Sequence, residues 1–395
     1  MTVAQTRSRF VGMRWVPLAW RNLVANKRRL VRSSAGIGFA VLLMLVQLGF
    51  ERGFFDASLA TVRLIDGDLV IISASNYRFG STDPFPHAHL ATAAKVAGIA
   101  SVSPLYASWT RFFWKEPAGD QTYLVQAFAF DPDQPAFRLT EVEAQAARLK
   151  EADTVLVDRR ARGFLGMASA TGDTEINGRT VHIAGGFALG PDFMSDGTVM
   201  MSEATFARLL PGNQAGPDAL PVDFGIVKLR PGEDSSRVQL ALQAALPGDV
   251  RVLTKAQLVA FERDFQADVS SAAPIFLMGT VVGFVVGMLI SYQIIYTDLS
   301  DQLPQYATLK GMGYQTRYLV RVVLEQAALS ALAGYVPAWL ACLLVYRAIG
   351  ALTLLPLDMT LRLTLISLGL TLGMCLVSAV LAIRRVIAAD PAEVF

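Results

Sequence analysis

The hydrophobic positions of this chain form one apolar run near the N-terminus and three more crowded into the last third. The runs are Ser33–Phe50, Ala273–Tyr296, Ala327–Tyr346 and Leu363–Ile383. A helix needs roughly 17–25 mostly apolar residues, rising about 1.5 Å each, to cross the hydrocarbon of a bilayer, and all four runs meet that length. Between the first and second runs the period changes. Asp68–Ser73 reads as a strand, Gln121–Phe130 alternates, and Glu175–Ile183 carries Asn177-Gly178 at its centre, a two-residue hairpin signal. Phe224–Leu229, Asp234–Leu246, Val250–Leu253 and Lys255–Val269 read as strand, helix, strand and helix. The expected fold class is therefore a membrane protein, α-helical with four transmembrane helices (1+3), plus a large α+β extracytoplasmic domain between helices 1 and 2. Four helices enclose little, so the layout suits a machine working on both sides of a membrane better than a pore.

The expected organisation follows the same pattern. Residues 1–32 form a cytoplasmic N-terminal segment, in which Pro17–Leu30 sets Leu18, Leu23 and Leu30 among bases as an amphipathic surface helix would. Transmembrane helix 1 covers 33–50, and the extracytoplasmic domain covers 51–272, with two lobes and helical stalks. Gly53–Leu64 is the first stalk, and the Pro/Gly-rich stretch Pro211–Pro221 is the expected linker between lobes. Helices 2, 3 and 4 cover 273–296, 319–347 and 362–383. A cytoplasmic connection (297–318), a short extracytoplasmic loop (348–361) and a cytoplasmic tail (384–395) complete the chain.

Charge sets the orientation. Residues 1–50 hold Arg7, Arg9, Arg14, Arg21, Lys27, Arg28, Arg29 and Arg32 and no acid, whereas 51–272 hold 20 bases against 27 acids. A basic leader directly before an apolar run places the N-terminus in the cytoplasm, and Lys310, Arg317 and Arg384-Arg385 agree with the alternation that follows. Orientation and lipid contact explain those bases better than nucleic acid does. The first run is long for a signal peptide, and no small-x-small site follows Phe50, so it reads as a retained anchor. With 53% hydrophobic and 17% charged residues, the chain is too apolar for an ordinary soluble protein and too polar to lie wholly in a membrane.

Several chemistries are absent from the sequence. There is no G-x-x-x-x-G-K-[ST] phosphate loop, no H-E-x-x-H and no G-x-S-x-G elbow. Cys342 and Cys375 both lie within apolar runs, so residues 51–272 have no disulfide framework. His87 and His89 form an H-x-H that reads either as a metal pair or as solvated loop; with His182 the sole remaining histidine, loop is favoured. Glu325 lies one turn after Arg321 at the edge of the third span, where an i,i+4 ion pair is preferred over an intramembrane proton site.

Two motifs remain. Gly279, Gly283 and Gly287 give two overlapping G-x-x-x-G steps on one face of the second span. Small residues so spaced let helix backbones approach closely in lipid, whether within the chain or between two copies. The connection after that span reads Gln305-Tyr306-Ala307-Thr308-Leu309-Lys310-Gly311-Met312-Gly313-Tyr314. A short helix, Leu303–Lys310, ending at a glycine and followed by an exposed aromatic, is placed to press into a partner's groove.

This stretch resembles the coupling segment of MacB/FtsX-type ABC transporter permeases, as does the layout of one span, a large domain and three spans. Gly283–Tyr314, Phe187–Glu203, Val222–Asp234 and the C-terminal Asp390–Phe395 are similar to the DevC-like subfamily. Gln305 stands where relatives often carry an acid. The resemblance implies a homodimeric permease in the bacterial inner membrane, with both termini cytoplasmic. Its partners would be two copies of an ABC ATPase subunit, a membrane-fusion-type periplasmic adaptor, an outer-membrane channel and membrane lipid. ATP and Mg would bind the partner ATPase, no cofactor would bind this chain, and the chain itself would not be an enzyme. The implied coupling residues are Gln305, Tyr306, Thr308, Leu309, Lys310, Met312, Gly313 and Tyr314. The implied function is ATP-driven export of a lipid, glycolipid or other amphiphile by mechanical transmission. A signal transducer that activates an exported cell-wall hydrolase and a lipoprotein-releasing permease are the alternatives.

Overall fold

The computed structural model describes residues 27–81, 83–117, 119–192, 195–213, 216, 219–269, 272–304, 308, 312, 315–353 and 357–388. In chain order the first elements are α1 (Lys27–Leu64), β1 (Leu69–Ser73), α2 (Ala88–Ala93), β2 (Ile99–Lys115), β3 (Thr122–Phe130), α3 (Thr140–Gln145) and β4 (Thr154–Asp158). Then come β5 (Gly172–Ile176), β6 (Arg179–Phe187), β7 (Thr198–Ser202), α4 (Glu203–Leu209), β8 (Phe224–Leu229), α5 (Ser235–Ala245) and β9 (Val250–Thr254). α6 (Lys255–Asp264), a π-helical turn (Phe265–Val269), α7 (Ala272–Asp301), α8 (Thr316–Thr353) and α9 (Leu361–Ala388) complete the order.

Two compact units result, one of Met1–Leu48, Met278–Val345 and Met359–Phe395, the other of Gly49–Leu277 and Tyr346–Asp358. Among the described residues, four helical stretches are long and apolar enough to cross a membrane: Leu30–Leu64, Pro274–Asp301, Val320–Leu352 and Leu361–Arg384. In the first of them the run 33–50 and the stalk Gly53–Leu64 are one uninterrupted helix.

In the helical unit α1 lies between α7 and α8. The residues that α7 turns inward, Gly283, Gly287, Ser291, Ile295 and Leu299, recur every four positions, as one helix face requires. A Cβ on Gly283 would stand 3.0 Å from Met44 Cγ, and one on Gly287 would stand 2.9 Å from Ala40 Cβ and 2.6 Å from Met374 Sδ. On the other side of α1, the backbones of Gly38 and Gly334 meet. The α8–α9 seam is polar: Tyr335 donates to the Thr364 carbonyl (2.8 Å) and lies 2.9 Å from Ser367 Oγ.

The other unit is built on one nine-stranded sheet, in the order β3-β7-β4-β6-β5-β2-β8-β1-β9, with β3 also paired to β2. That extra pairing closes β2, β3, β7, β4, β6 and β5 into a ring, while β8, β1 and β9 extend from the first half of β2 as an open sheet. β2 can serve both because it is 17 residues long and its register against β3 shifts between Ser108 and Phe112. The ring's last joint is slight, a single pair between Trp114 and Ile176.

β1 (LVIIS) is buried at every position because both of its faces are covered. Leu69 and Ile71 join one core with Leu90 and Ala93 of α2 and Val238 and Leu242 of α5. Val70 and Ile72 join another with Val62 of α1 and Leu258 of α6. The Asn177-Gly178 turn joins β5 to β6 with φ of 52° and 73°, the left-handed conformation this hairpin type needs. Asn177 also accepts from Phe113 N (2.9 Å) and donates to the carbonyls of Arg111 and Leu209, fastening the hairpin to β2. The end of the Pro/Gly-rich stretch leads directly into β8, and Leu220 and Val222 are buried there. α6 opens with a capping box between Thr254 and Gln257.

Candidate functional site

The connection between α7 and α8 is built on the packed ends of three helices. Ile295 and Leu299 of α7, Val323 and Ala327 of α8, and Ala379, Ala382 and Ile383 of α9 form one apolar cluster. Tyr292 and Tyr296 flank it, stacked at 5.9 Å. Gln302 and Gln326 are buried as well, and a small cavity of about 10 Å³ is lined by Asp298, Leu299, Gln326 and Ser330 among others. The side chains of α7, α8 and α9 thus share one close-packed cluster at this end of the helices.

At the end of α7, Ser300 donates to the Tyr296 carbonyl and Gln302 N to the Leu299 carbonyl (3.2 Å), tightening the final turn. Leu303 and Pro304 are helical. Thr308 Oγ1 donates to the Pro304 carbonyl (2.9 Å) and Met312 N to the Thr308 carbonyl (3.0 Å). These bonds step by four residues, the spacing of one helix face, and Thr308 and Met312 are both exposed, Met312 by 64%. An exposed, unbranched thioether is suited to filling an irregular groove. Gln305, Tyr306, Leu309, Lys310, Gly313 and Tyr314 lie outside the described residues, as do Asp390–Phe395 and the N-terminal segment before Lys27. On α8, Arg321 donates to Glu325 at 2.9 Å, the exposed i,i+4 pair expected from the sequence.

The three glycines of the second span all face α1, and the third also faces α9. Gly279 meets the flexible end of Gln47, Gly283 meets Met44, and Gly287 meets Ala40 and Met374. The opposite face of α7 exposes Ile275, Met278, Val281, Val282, Val285 and Leu289. Sequence reading did not single out Gly38 and Gly334. Neither belongs to a G-x-x-x-G step, so only the fold reveals that they meet.

The α+β unit carries buried carboxylates that the sequence did not flag. Burial pushes Asp223 up to about 7, although Ala107 N donates to it at 2.9 Å and Arg111 lies nearby. Burial also raises Asp158, against three backbone donors at Arg160, Leu189 and Gly190. It raises Glu262 as well, which accepts from Phe79 N and Gln266. Asp66 is driven the other way: burial would raise it, but hydrogen bonds from Lys228 and Arg138 hold it below the usual carboxylate range. Each of these groups bonds to its own fold, as a structural acid does. The H-x-H motif divides: His89 contacts Asp249 at 3.0 Å, while His87 precedes α2 without capping it. His182 contacts Asp173 instead (2.8 Å), and among the described residues no three His, Cys, Asp or Glu side chains gather as metal ligands.

Residues 277–391, which span α7, the connection, α8 and α9, match the family model described as FtsX-like permease C-terminal. Over 380 residues the chain is 22% identical to an uncharacterized ABC transporter permease of Mycobacterium bovis, covering 95% of this chain and 98% of that protein. An uncharacterized ABC transporter permease of Mycobacterium tuberculosis matches to the same extent. Among solved structures, the extracellular domain of the noncanonic ABC-type transporter YknZ from Gram-positive bacteria aligns at 8% identity and a TM-score of 0.32, over 48% of this chain and 99% of that one. A permease-protein domain from Porphyromonas gingivalis aligns at 11% identity and a TM-score of 0.29, over 49% and 88%. The chain is thus similar to FtsX-like permeases at its helical end, over residues 277–391, and distantly similar to ABC transporter permeases along nearly its whole length.

Proposed function

We propose that this chain is the permease subunit of an ATP-driven exporter of the bacterial inner membrane. It works as a homodimer with two copies of a separate ABC ATPase, which binds ATP and Mg and performs the hydrolysis. The observation that carries this reading is the FtsX-like permease match over residues 277–391, the region that contains the packed helix ends and the exposed Thr308 and Met312. In this reading the connection lies in the cytoplasm and docks into an ATPase groove. Closure of the ATPases moves it, and the shared apolar cluster passes that movement to all three helices. The α+β domain then lies outside the membrane and drives cargo through a periplasmic adaptor and outer-membrane channel. A lipid, glycolipid or other amphiphile is the proposed cargo, in line with the DevC-like resemblance of Gly283–Tyr314 and the C-terminal segment.

Gentle detergent purification of the tagged protein from its native membrane, followed by mass spectrometry, tests this assembly. An ABC ATPase together with a periplasmic adaptor is expected. An ATPase with a cell-wall hydrolase and no adaptor would favour the transducer, an ATPase with a lipoprotein chaperone the releasing permease. An intact dimer without any ATPase would overturn the proposal. Met312→Asp places a charge where an apolar contact is proposed, so ATP hydrolysis should uncouple from transport while the permease stays folded. Full coupled activity in that variant would remove Met312 from the docking surface.

A further inference from the structure

The helix that leads from β9 toward the second span is interrupted. α6 ends at Asp264, and Phe265–Val269 winds as a π-turn. Such a turn is one residue inserted into an α-helical run; it is rare, is kept in place by its surroundings, and is concentrated at functional sites. Here the bracing is visible at the upstream end of the turn. One turn upstream, Glu262 is 5% exposed and accepts from Phe79 N (2.7 Å) and Gln266 Nε2 (2.8 Å). The Phe265 ring lies 5.6 Å from the Tyr77 ring and 5.6 Å from the Arg78 guanidinium carbon.

Beside this brace is a polar cavity of about 40 Å³, lined by Ser58 and Thr61 of α1, Arg78, Trp109 of β2, Gln126 of β3 and Glu262. Arg78 Nε is buried and has no hydrogen-bond partner among the described residues. A polar cavity of that size is roomy enough for water, so groups along it can exchange partners without opening a dry void. The cavity is also where α1, α6 and the two strands that close the ring come together.

We propose that the π-turn Phe265–Val269 is a slip joint with two settings. In the setting seen here the inserted residue is held in the wide turn by the Phe265–Arg78 contact, with Glu262 anchoring the upstream side to Phe79. In the other setting the turn relaxes to α-helix, which shifts its downstream end at Val269 by about 100° and about 1.5 Å, the step of one α-helical residue. The cavity accommodates the change, and Arg78 Nε gains or loses water as Phe265 swings. That an ATPase drives the step rests on the function proposed above; the joint itself is tested on the isolated chain.

The experiment is hydrogen exchange read by mass spectrometry on the full-length protein in detergent micelles. Amides of residues 265–269 should exchange at least about tenfold faster than those of α6, because the turn opens locally without global unfolding. Deleting the exposed Ala267 removes the inserted residue. Exchange at the remaining positions should then fall to the α6 level, with the melting temperature within a few degrees of the parent. Phe265→Ala removes the ring brace and should raise exchange at 265–269 about tenfold further, while Phe79 N stays protected by Glu262. Exchange at 265–269 as slow as in α6, or unchanged by the deletion, would overturn the joint. So would a deletion variant that cannot fold, or a Phe265→Ala variant with parental exchange.

Discussion

A Cβ on Gly38 would stand 3.1 Å from the carbonyl oxygen of Gly334, and a Cβ on Gly334 would stand 3.2 Å from the backbone nitrogen of Gly38. The first and third spanning helices thus touch backbone to backbone at this crossing. In lipid, where apolar burial does not favour one helix neighbour over another, such close approach is what dispersion and weak hydrogen bonding require.

Gly334→Val should therefore cost about 1–3 kcal/mol, the usual range for forcing extra methyl groups into a packed interior. Ile37 Cγ2 and Cβ already lie at 2.7 and 2.8 Å from the site of the new Cβ, so relaxation has little room. Thermal unfolding in detergent, followed by tryptophan fluorescence, should show a fall of several degrees. A variant that melts with the parent would mean that the two helices separate readily at this point.

The three glycines of the second span should not respond alike. An added Cβ at Gly279 meets only the end of the Gln47 side chain, which can swing away, whereas at Gly287 it meets Ala40 and Met374. Gly279→Ala should be near neutral, and Gly287→Ala should destabilise by about 1 kcal/mol or more. The same melting assay decides it. Equal losses at both sites would show that something other than these neighbours sets the tolerance.

Asp223 gives the α+β unit a pH dependence of known sign. Its carboxyl is raised from 3.8 to about 7, so the folded state binds the proton more tightly than the unfolded state. The contribution is fully present below about pH 4 and is lost as pH rises toward 7. Asp223→Asn keeps an acceptor for Ala107 N and removes the charge. Relative to that variant, the parent should lose stability between pH 4.5 and pH 8, on the order of a few kcal/mol. Melting temperatures of both proteins across that range provide the test, and a constant difference would contradict it.

Among the described residues the outer edge of β9 has no strand neighbour; glutamines of α5 cover it instead. Gln243 accepts from Val252 N (2.8 Å) and donates to the Val250 carbonyl (3.0 Å), and Gln239 donates to the Val252 carbonyl. An uncovered edge is a template for pairing with another chain. Gln243→Ala should increase concentration-dependent self-association, readable by sedimentation or light scattering, while unfolding temperature falls only slightly. Unchanged association would show that the edge is guarded by something else.

Much of this architecture was legible because it is local. The four spans announce themselves by length and composition alone. Phe224–Leu229 was readable as a strand and Asp234–Leu246 as a helix because a short apolar run, a capping Asp234 and a following proline all act within a few residues. The Asn177-Gly178 turn was legible for the same reason, since the two residues that favour positive φ are adjacent. By contrast, β2 gave no clear signal. Its 17 residues face a core on changing sides and include Pro104, and its identity as the strand shared by ring and open sheet depends on partners more than a hundred residues away. The connection after the second span was legible as a motif, and the cluster of Ile295, Val323 and the α9 alanines beside it was not, because those residues meet only in three dimensions.

By itself, then, the sequence determined how many helices are apolar enough to cross a membrane, that a mixed α+β domain lies between the first and second, and which short motifs carry turns and caps. These are outcomes of hydrophobic length, periodicity and backbone preference, each decided within a few residues. Only the tertiary structure decided which glycine meets which helix, that β2 closes a ring through one residue pair, that Asp223 and Glu262 are buried, and that a π-turn stands beside a polar cavity. Those features depend on long-range packing, where close approach, desolvation and shared hydrogen bonds exist only once distant segments have been brought together.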